Sequence, residues 1–108
     1  MSPHKCRIVV VGAGLVGERH ARLVAEDPSS ELVAIIDPRQ QIDELARATN
    51  TVRFETLQEL ADDACDGAII ATPNHNHFAS AMQCLDRRWP CLIEKPITDD
   101  LESGERLV

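Results

Sequence analysis

Six residues, Gly12-Ala13-Gly14-Leu15-Val16-Gly17, have the types and spacing to cradle a pyrophosphate. They follow an apolar run, Ile8-Val9-Val10-Val11, and open a helical pattern over residues 18–26. Gly12 suits a tight turn from strand to helix, Gly14 has no Cβ to keep a phosphate off the backbone, and Gly17 lets the helix pack closely on a sheet. The unpaired N–H groups and positive dipole end of such a helix would face the anion. Asp37 closes a second apolar run, twenty residues beyond Gly17. There it would accept hydrogen bonds from adenosine ribose hydroxyls. Short glycine patterns recur by chance, and this one could be a structural turn beside a surface Asp. The strand before it, the helix after it and the acid at that spacing make it a dinucleotide-binding fingerprint. Asp37 favours NAD, because the 2′-phosphate of NADP would meet a carboxylate, whereas Arg39 could offset that charge and permit NADP.

Two further clusters carry chemistry. Ala71-Thr72-Pro73-Asn74-His75-Asn76-His77 follows a fourth apolar run. Pro73 would stop the strand and Asn74 would cap the helix beyond it, beside the glycine turn. Two histidines separated by one residue invite a metal reading, but a tetrahedral site needs further ligands and none is evident. No metal is expected; capping, loop packing and a cofactor-site loop remain. Glu94-Lys95-Pro96 follows a fifth apolar run. Lys95 could hold a substrate oxygen or polarise a developing alkoxide, or the pair could simply end a strand at the surface.

These groups need a scaffold that brings loops together, and the pattern supplies one. Strands are expected over residues 7–11, 31–37, 51–55, 67–71 and 90–94, alternating with helices over 18–26, 39–49, 56–64 and 77–87. Thr56-Leu57-Gln58-Glu59 matches a capping box, and Thr98 would cap a last helix carrying Asp99, Asp100 and Glu102 in its first turn. Such alternation implies right-handed crossovers and a doubly wound parallel sheet of the α/β class. The expected order is 3-2-1-4-5, with ligand at the carboxyl ends where the order reverses. The pattern stops inside a helix without a sixth strand, so the 108 residues read as one dinucleotide-binding domain, the first part of a longer protein.

The 44% hydrophobic content suits a globular core, and the net charge of −7 argues against a nucleic-acid or anionic-membrane binder. The segment after Lys5 and Arg7 lacks a signal peptide's cleavage site, and no run is long enough to span a bilayer. A cytoplasmic protein is expected. Cys6, Cys65, Cys84 and Cys91 show neither a C-x-x-C pair nor zinc spacing; they read as reduced apolar residues.

Taken in order, the three motifs resemble the N-terminal domain of the glucose-fructose oxidoreductase, inositol dehydrogenase and rhizopine catabolism family (Gfo/Idh/MocA). Its G-x-G-x-x-G-x-x-H-A appears as Gly12, Gly14, Gly17, His20 and Ala21, its T-P-N-x-x-H as Thr72, Pro73, Asn74 and His77, and its E-K-P as Glu94, Lys95 and Pro96. The resemblance implies an NAD(P)-dependent oxidoreductase acting on a sugar, cyclitol or related hydroxyl compound, with Lys95 as the catalytic contact to substrate and cofactor. It also implies a second α/β domain carrying an Asp/His pair and the substrate pocket, and a homo-oligomeric full-length protein. Without that domain these 108 residues would turn over no substrate. The Lys95–Pro96 bond is expected to be cis. The family commonly has Gly before the fifth strand, where this chain has Arg88-Trp89-Pro90; if Arg88 takes the left-handed conformation, the cost is about 1 kcal/mol. Two rivals are an S-adenosylmethionine-dependent methyltransferase, which the Glu94-Lys95-Pro96 motif disfavours, and a non-catalytic nucleotide-sensing protein of the same fold.

Overall fold

Runs such as Ile8–Val11, apolar at every position, cannot leave one face in water, so the strands that carry them are covered on both sides. The computed structural model describes residues 5–72 and 74–93, with the backbone alone for 74–78. Its elements are β1 (Cys6–Val11), α1 (Leu15–Glu26), β2 (Ser30–Ile36), α2 (Asp43–Ala48), β3 (Arg53–Phe54), β4 (Gly67–Ile70), α3 (Asn74–Asp86) and β5 (Cys91–Ile93). All strand pairs are parallel and the order is β3-β2-β1-β4-β5, as the sequence predicts. No helix among the described residues is long and apolar enough to cross a membrane.

The strands divide their side chains between two cores. Val9, Val11, Ala34, Ile36, Ala68 and Ile70 pack with Cys84 of α3 and with Trp89. Val10, Leu32 and Ile35 pack with Ala21 of α1 and Leu45 and Ala46 of α2. Each fully buried Val or Ile contributes about 1.5–3 kcal/mol, so the central strands anchor the fold. One irregularity interrupts the alternation. The β1–β2 register shifts between Ile8, opposite Leu32, and Val9, opposite Ala34. Val33 is the extra residue, and both it and Ala34 contact the α3-side core. The shift brings Ile36 opposite Val11 and delivers Asp37 beside the glycine turn.

Several expected elements are shorter than the pattern suggests. The helix expected over 56–64 is a single 3₁₀ turn, Leu57–Glu59. The capping box is present: Glu59 Oε2 accepts from the N–H groups of Glu55 at 2.7 Å and Thr56 at 3.1 Å. Beyond it, side chains from elsewhere bond the backbone carbonyls, among them that of Leu60, which a longer helix would use. Arg87 Nη1 donates to the Leu60 carbonyl at 2.7 Å, Trp89 Nε1 to that of Asp62 at 2.7 Å, and Arg7 Nη1 to that of Asp63 at 3.0 Å. The helix expected over 39–49 is a 3₁₀ turn, Gln40–Ile42, running into the six-residue α2. β3 holds two residues rather than the expected five, bonding β2 through Val52 and Phe54 carbonyls.

α3 starts at Asn74, earlier than expected, which makes Asn74 its first residue rather than a residue before it. α2 and α3 both end in Schellman turns. Thr51 N–H bonds the Ala46 carbonyl and Asn50 N–H that of Arg47; Trp89 and Arg88 do the same to Cys84 and Leu85. Asn50 and Arg88 each have φ of +63°, so the condition set for Arg88 is met: it adopts the left-handed conformation. Pro73, Glu94, Lys95, Pro96 with its peptide bond, and the acidic segment after Thr98 lie outside the described residues.

Candidate functional site

The glycine turn is held by contacts that exclude any side chain. Gly12 has φ of +90°, and a Cβ there would lie 2.8 Å from Thr72 N and Cα. At Gly17 a Cβ would overlap the Gly12 carbonyl. These two positions bind β1, the α1 N-terminus and the loop after β4 into one unit. Around Gly14 the space is open: among the described residues, no atom beyond its chain neighbours and its own helix backbone comes within 4 Å of where a Cβ would sit. Gly14 is also the N-cap of α1, and among the described residues no side-chain hydrogen bond caps this end. The first-turn N–H groups therefore keep their capacity for an outside acceptor.

They look into a cleft of about 560 Å³ lined by Gly12, Ala13, Gly14, Leu15, Val16, Ile36, Asp37, Pro38, Arg39, Ala71 and Thr72. It opens at the carboxyl ends of β1, β2 and β4, where the strand order reverses and ligands bind in folds of this kind. Its volume is within the range of small-molecule sites. Thr72 Oγ1 is buried and lacks a hydrogen-bond partner among the described residues. An orphaned hydroxyl on a cleft wall is a ready contact for a ligand.

Asp37 is 4% exposed and fully engaged. Its Oδ2 accepts from Ala13 N–H at 2.9 Å and from Arg39 Nη2 at 2.8 Å, while Oδ1 accepts from Arg39 N–H and Nε, both at 2.9 Å. Burial alone would raise the carboxyl. The bonds from the Arg39 side chain, the Arg39 N–H and the Ala13 N–H outweigh it and hold the group below its ordinary value. Arg53 steadies the same corner, with Nη1 donating to the Asp37 carbonyl at 3.0 Å and Nε to Asp43 Oδ1 at 2.7 Å.

The fold thus gathers Gly12, Ala13, Gly14, Leu15, Val16, Asp37, Arg39 and Thr72 around one cleft. Gly17 stands behind it as a packing residue. Asn74 and His77 lie in the first turn of α3, which follows the Thr72 loop; their side chains are not described. Sequence reasoning missed Ile36, Pro38 and Ala71 as cleft walls and Arg53 as a support. Ile36, Pro38 and Ala71 adjoin motif residues, a usable signal, whereas nothing local marks Arg53.

Residues 6–108 match the model of an oxidoreductase family with an NAD-binding Rossmann fold. Inositol 2-dehydrogenase 1 of Mycolicibacterium vanbaalenii is 31% identical over 94% of this chain and 31% of its own length. A myo-inositol dehydrogenase of Corynebacterium glutamicum superposes with a TM-score of 0.82 at 35% identity, covering 94% of this chain and 31% of that one. The WlbA dehydrogenase of Bordetella pertussis, solved with NADH and UDP-GlcNAcA, gives a TM-score of 0.82 at 27% identity over 96% of this chain and 33% of its own. The chain spans about a third of the length of these relatives. With the glycine turn, the acid after β2 and the reversal of strand order in place, it belongs to the Gfo/Idh/MocA oxidoreductase family, through that family's NAD-binding Rossmann domain.

Proposed function

We propose that this chain is the cofactor-binding part of an NAD-dependent dehydrogenase that moves hydride between nicotinamide and a hydroxyl of a sugar, cyclitol or related compound. The observation that carries the cofactor site is the cleft in which an uncapped α1 N-terminus and the buried Asp37 carboxylate meet. The family match and the sugar and inositol dehydrogenases among the relatives support the substrate class.

The residues divide the work. The backbone of Gly12, Ala13, Gly14, Leu15 and Val16 holds the pyrophosphate through N–H groups and the helix dipole. Gly17 keeps α1 close enough for those groups to point into the cleft. Asp37 orients the adenosine ribose, and Arg39 stands at the 2′ position. Thr72 lines the cleft, and the family motif assigns cofactor contacts to Pro73, Asn74 and His77 as well. The family motif assigns Glu94, Lys95 and Pro96 to the nicotinamide end, where a Lys95 ammonium would hold the substrate oxygen and stabilise charge developing on it. Bound NAD supplies the hydride acceptor.

Calorimetric titration with NADH and NADPH tests the cofactor assignment. NADH should bind more tightly, and Asp37→Ala should narrow the difference. No binding of either, or tighter binding of NADPH, would overturn it. In the full-length protein, Lys95→Ala should abolish oxidation of polyols and sugars while NADH binding persists.

A further inference from the structure

Building on this assignment of the ribose site, we propose that Arg39 is a competitive gate on Asp37, and that it sets cofactor preference by occupying the place of the ribose diol. An ionised carboxylate offers about four acceptor positions. All four on Asp37 are filled: two by backbone N–H groups of Ala13 and Arg39, and two by the Arg39 guanidinium fork through Nε and Nη2.

The two backbone donors belong to the turn and cannot leave without unmaking it. Only the fork can be given up. A vicinal diol presents two O–H donors side by side and needs those same two positions. Diol and guanidinium are therefore mutually exclusive on Asp37. The Arg39 side chain is 47% exposed against 5% for Asp37, so the arginine can swing into water while the carboxylate stays. Screening at that exposure keeps the pair weak enough to open.

The displaced guanidinium remains anchored two residues from the carboxylate, on the rim of the same cleft. NADH opens the pair and gains no replacement partner for it. NADPH opens it too, but its 2′-phosphate offers Arg39 a new bidentate acceptor. The gate thus handicaps NADH and compensates NADPH, narrowing a preference that Asp37 alone would make wide.

Calorimetry on the 108-residue chain with NADH and NADPH separates the possibilities. Arg39→Leu should tighten NADH roughly threefold to tenfold and weaken NADPH by a similar factor or more. Arg39→Lys keeps the charge but not the planar fork and should tighten NADH less. On an Asp37→Asn background the gain for NADH from Arg39→Leu should disappear, because the gate has lost its post. NADH binding that weakens or stays unchanged in Arg39→Leu, or a gain that persists on the Asp37→Asn background, overturns the gate alone. Failure of the unmodified chain to bind NADH overturns the gate together with the ribose-site assignment.

Discussion

Gly17 lies so close to Gly12 that a Cβ on the first would overlap the carbonyl oxygen of the second. The obstacle is backbone, which cannot rotate away, so α1 would have to lift from the sheet. Gly17→Ala should destabilise the domain by about 2–4 kcal/mol and remove cofactor binding. Gly14→Ala meets no atom of the described residues within 4 Å beyond its chain neighbours and its own helix and should change stability by less than about 1 kcal/mol while weakening NADH, since the methyl would project into cofactor space. Thermal melts and calorimetry on both variants check this; equal melting temperatures would refute the packing argument.

Asp37 links stability to pH. Its folded-state value is lowered, so its contribution is present above the ordinary value of 3.8 and is lost as pH falls through the lower folded-state value. Asp37→Asn should therefore cost stability at neutral pH, about 1–3 kcal/mol, and the gap to the unmodified chain should close on acidification below that value. Urea melts from neutral pH to well below 3.8 would show the gap narrowing. A gap independent of pH would mean that the carboxylate charge is not what matters.

Arg88 holds φ of +63° at the end of α3, where glycine is the usual occupant. Arg88→Gly removes a strain of about 1–2 kcal/mol and returns part of it as unfolded-state entropy. The net expectation is a gain of about 0.5–1 kcal/mol, a rise of a few degrees in Tm. Asn50, at the same φ, tolerates it better, so Asn50→Gly should gain less. A loss of stability in Arg88→Gly would point to side-chain contacts that outweigh the strain.

Burial pushes the Cys84 thiol up to about 12, and it also raises Cys65 and Cys91. Cys6 is exposed. Iodoacetamide at pH 8 should modify Cys6 first and Cys84 only with unfolding, because the thiolate is the reacting form. Peptide mapping over time would show the order, and early labelling of Cys84 would contradict its burial.

Apolar runs, glycine turn and acid spacing determined much by themselves: the parallel α/β sheet, its order, and the meeting of the Gly12–Gly17 turn with Asp37. The missing glycine before the fifth strand also marked Arg88 as a candidate for the left-handed conformation, although only the fold decided that it takes it. These features follow from local dihedral preferences and from the need to bury strands on both faces. Other features were decided only by the tertiary structure. The segment after Thr56 carries a valid helix start, yet it makes a single turn, with Arg87 taking the Leu60 carbonyl and Trp89 and Arg7 tying down the chain at Asp62 and Asp63. The extra residue at Val33, which sets Asp37 beside Ala13, has no local signature among neighbours that are all apolar. The closing of Arg39 onto Asp37 likewise needed the folded corner. A carboxylate's free acceptor positions depend on which donors the fold brings within about 3 Å of it, and residue spacing along the chain does not specify that distance.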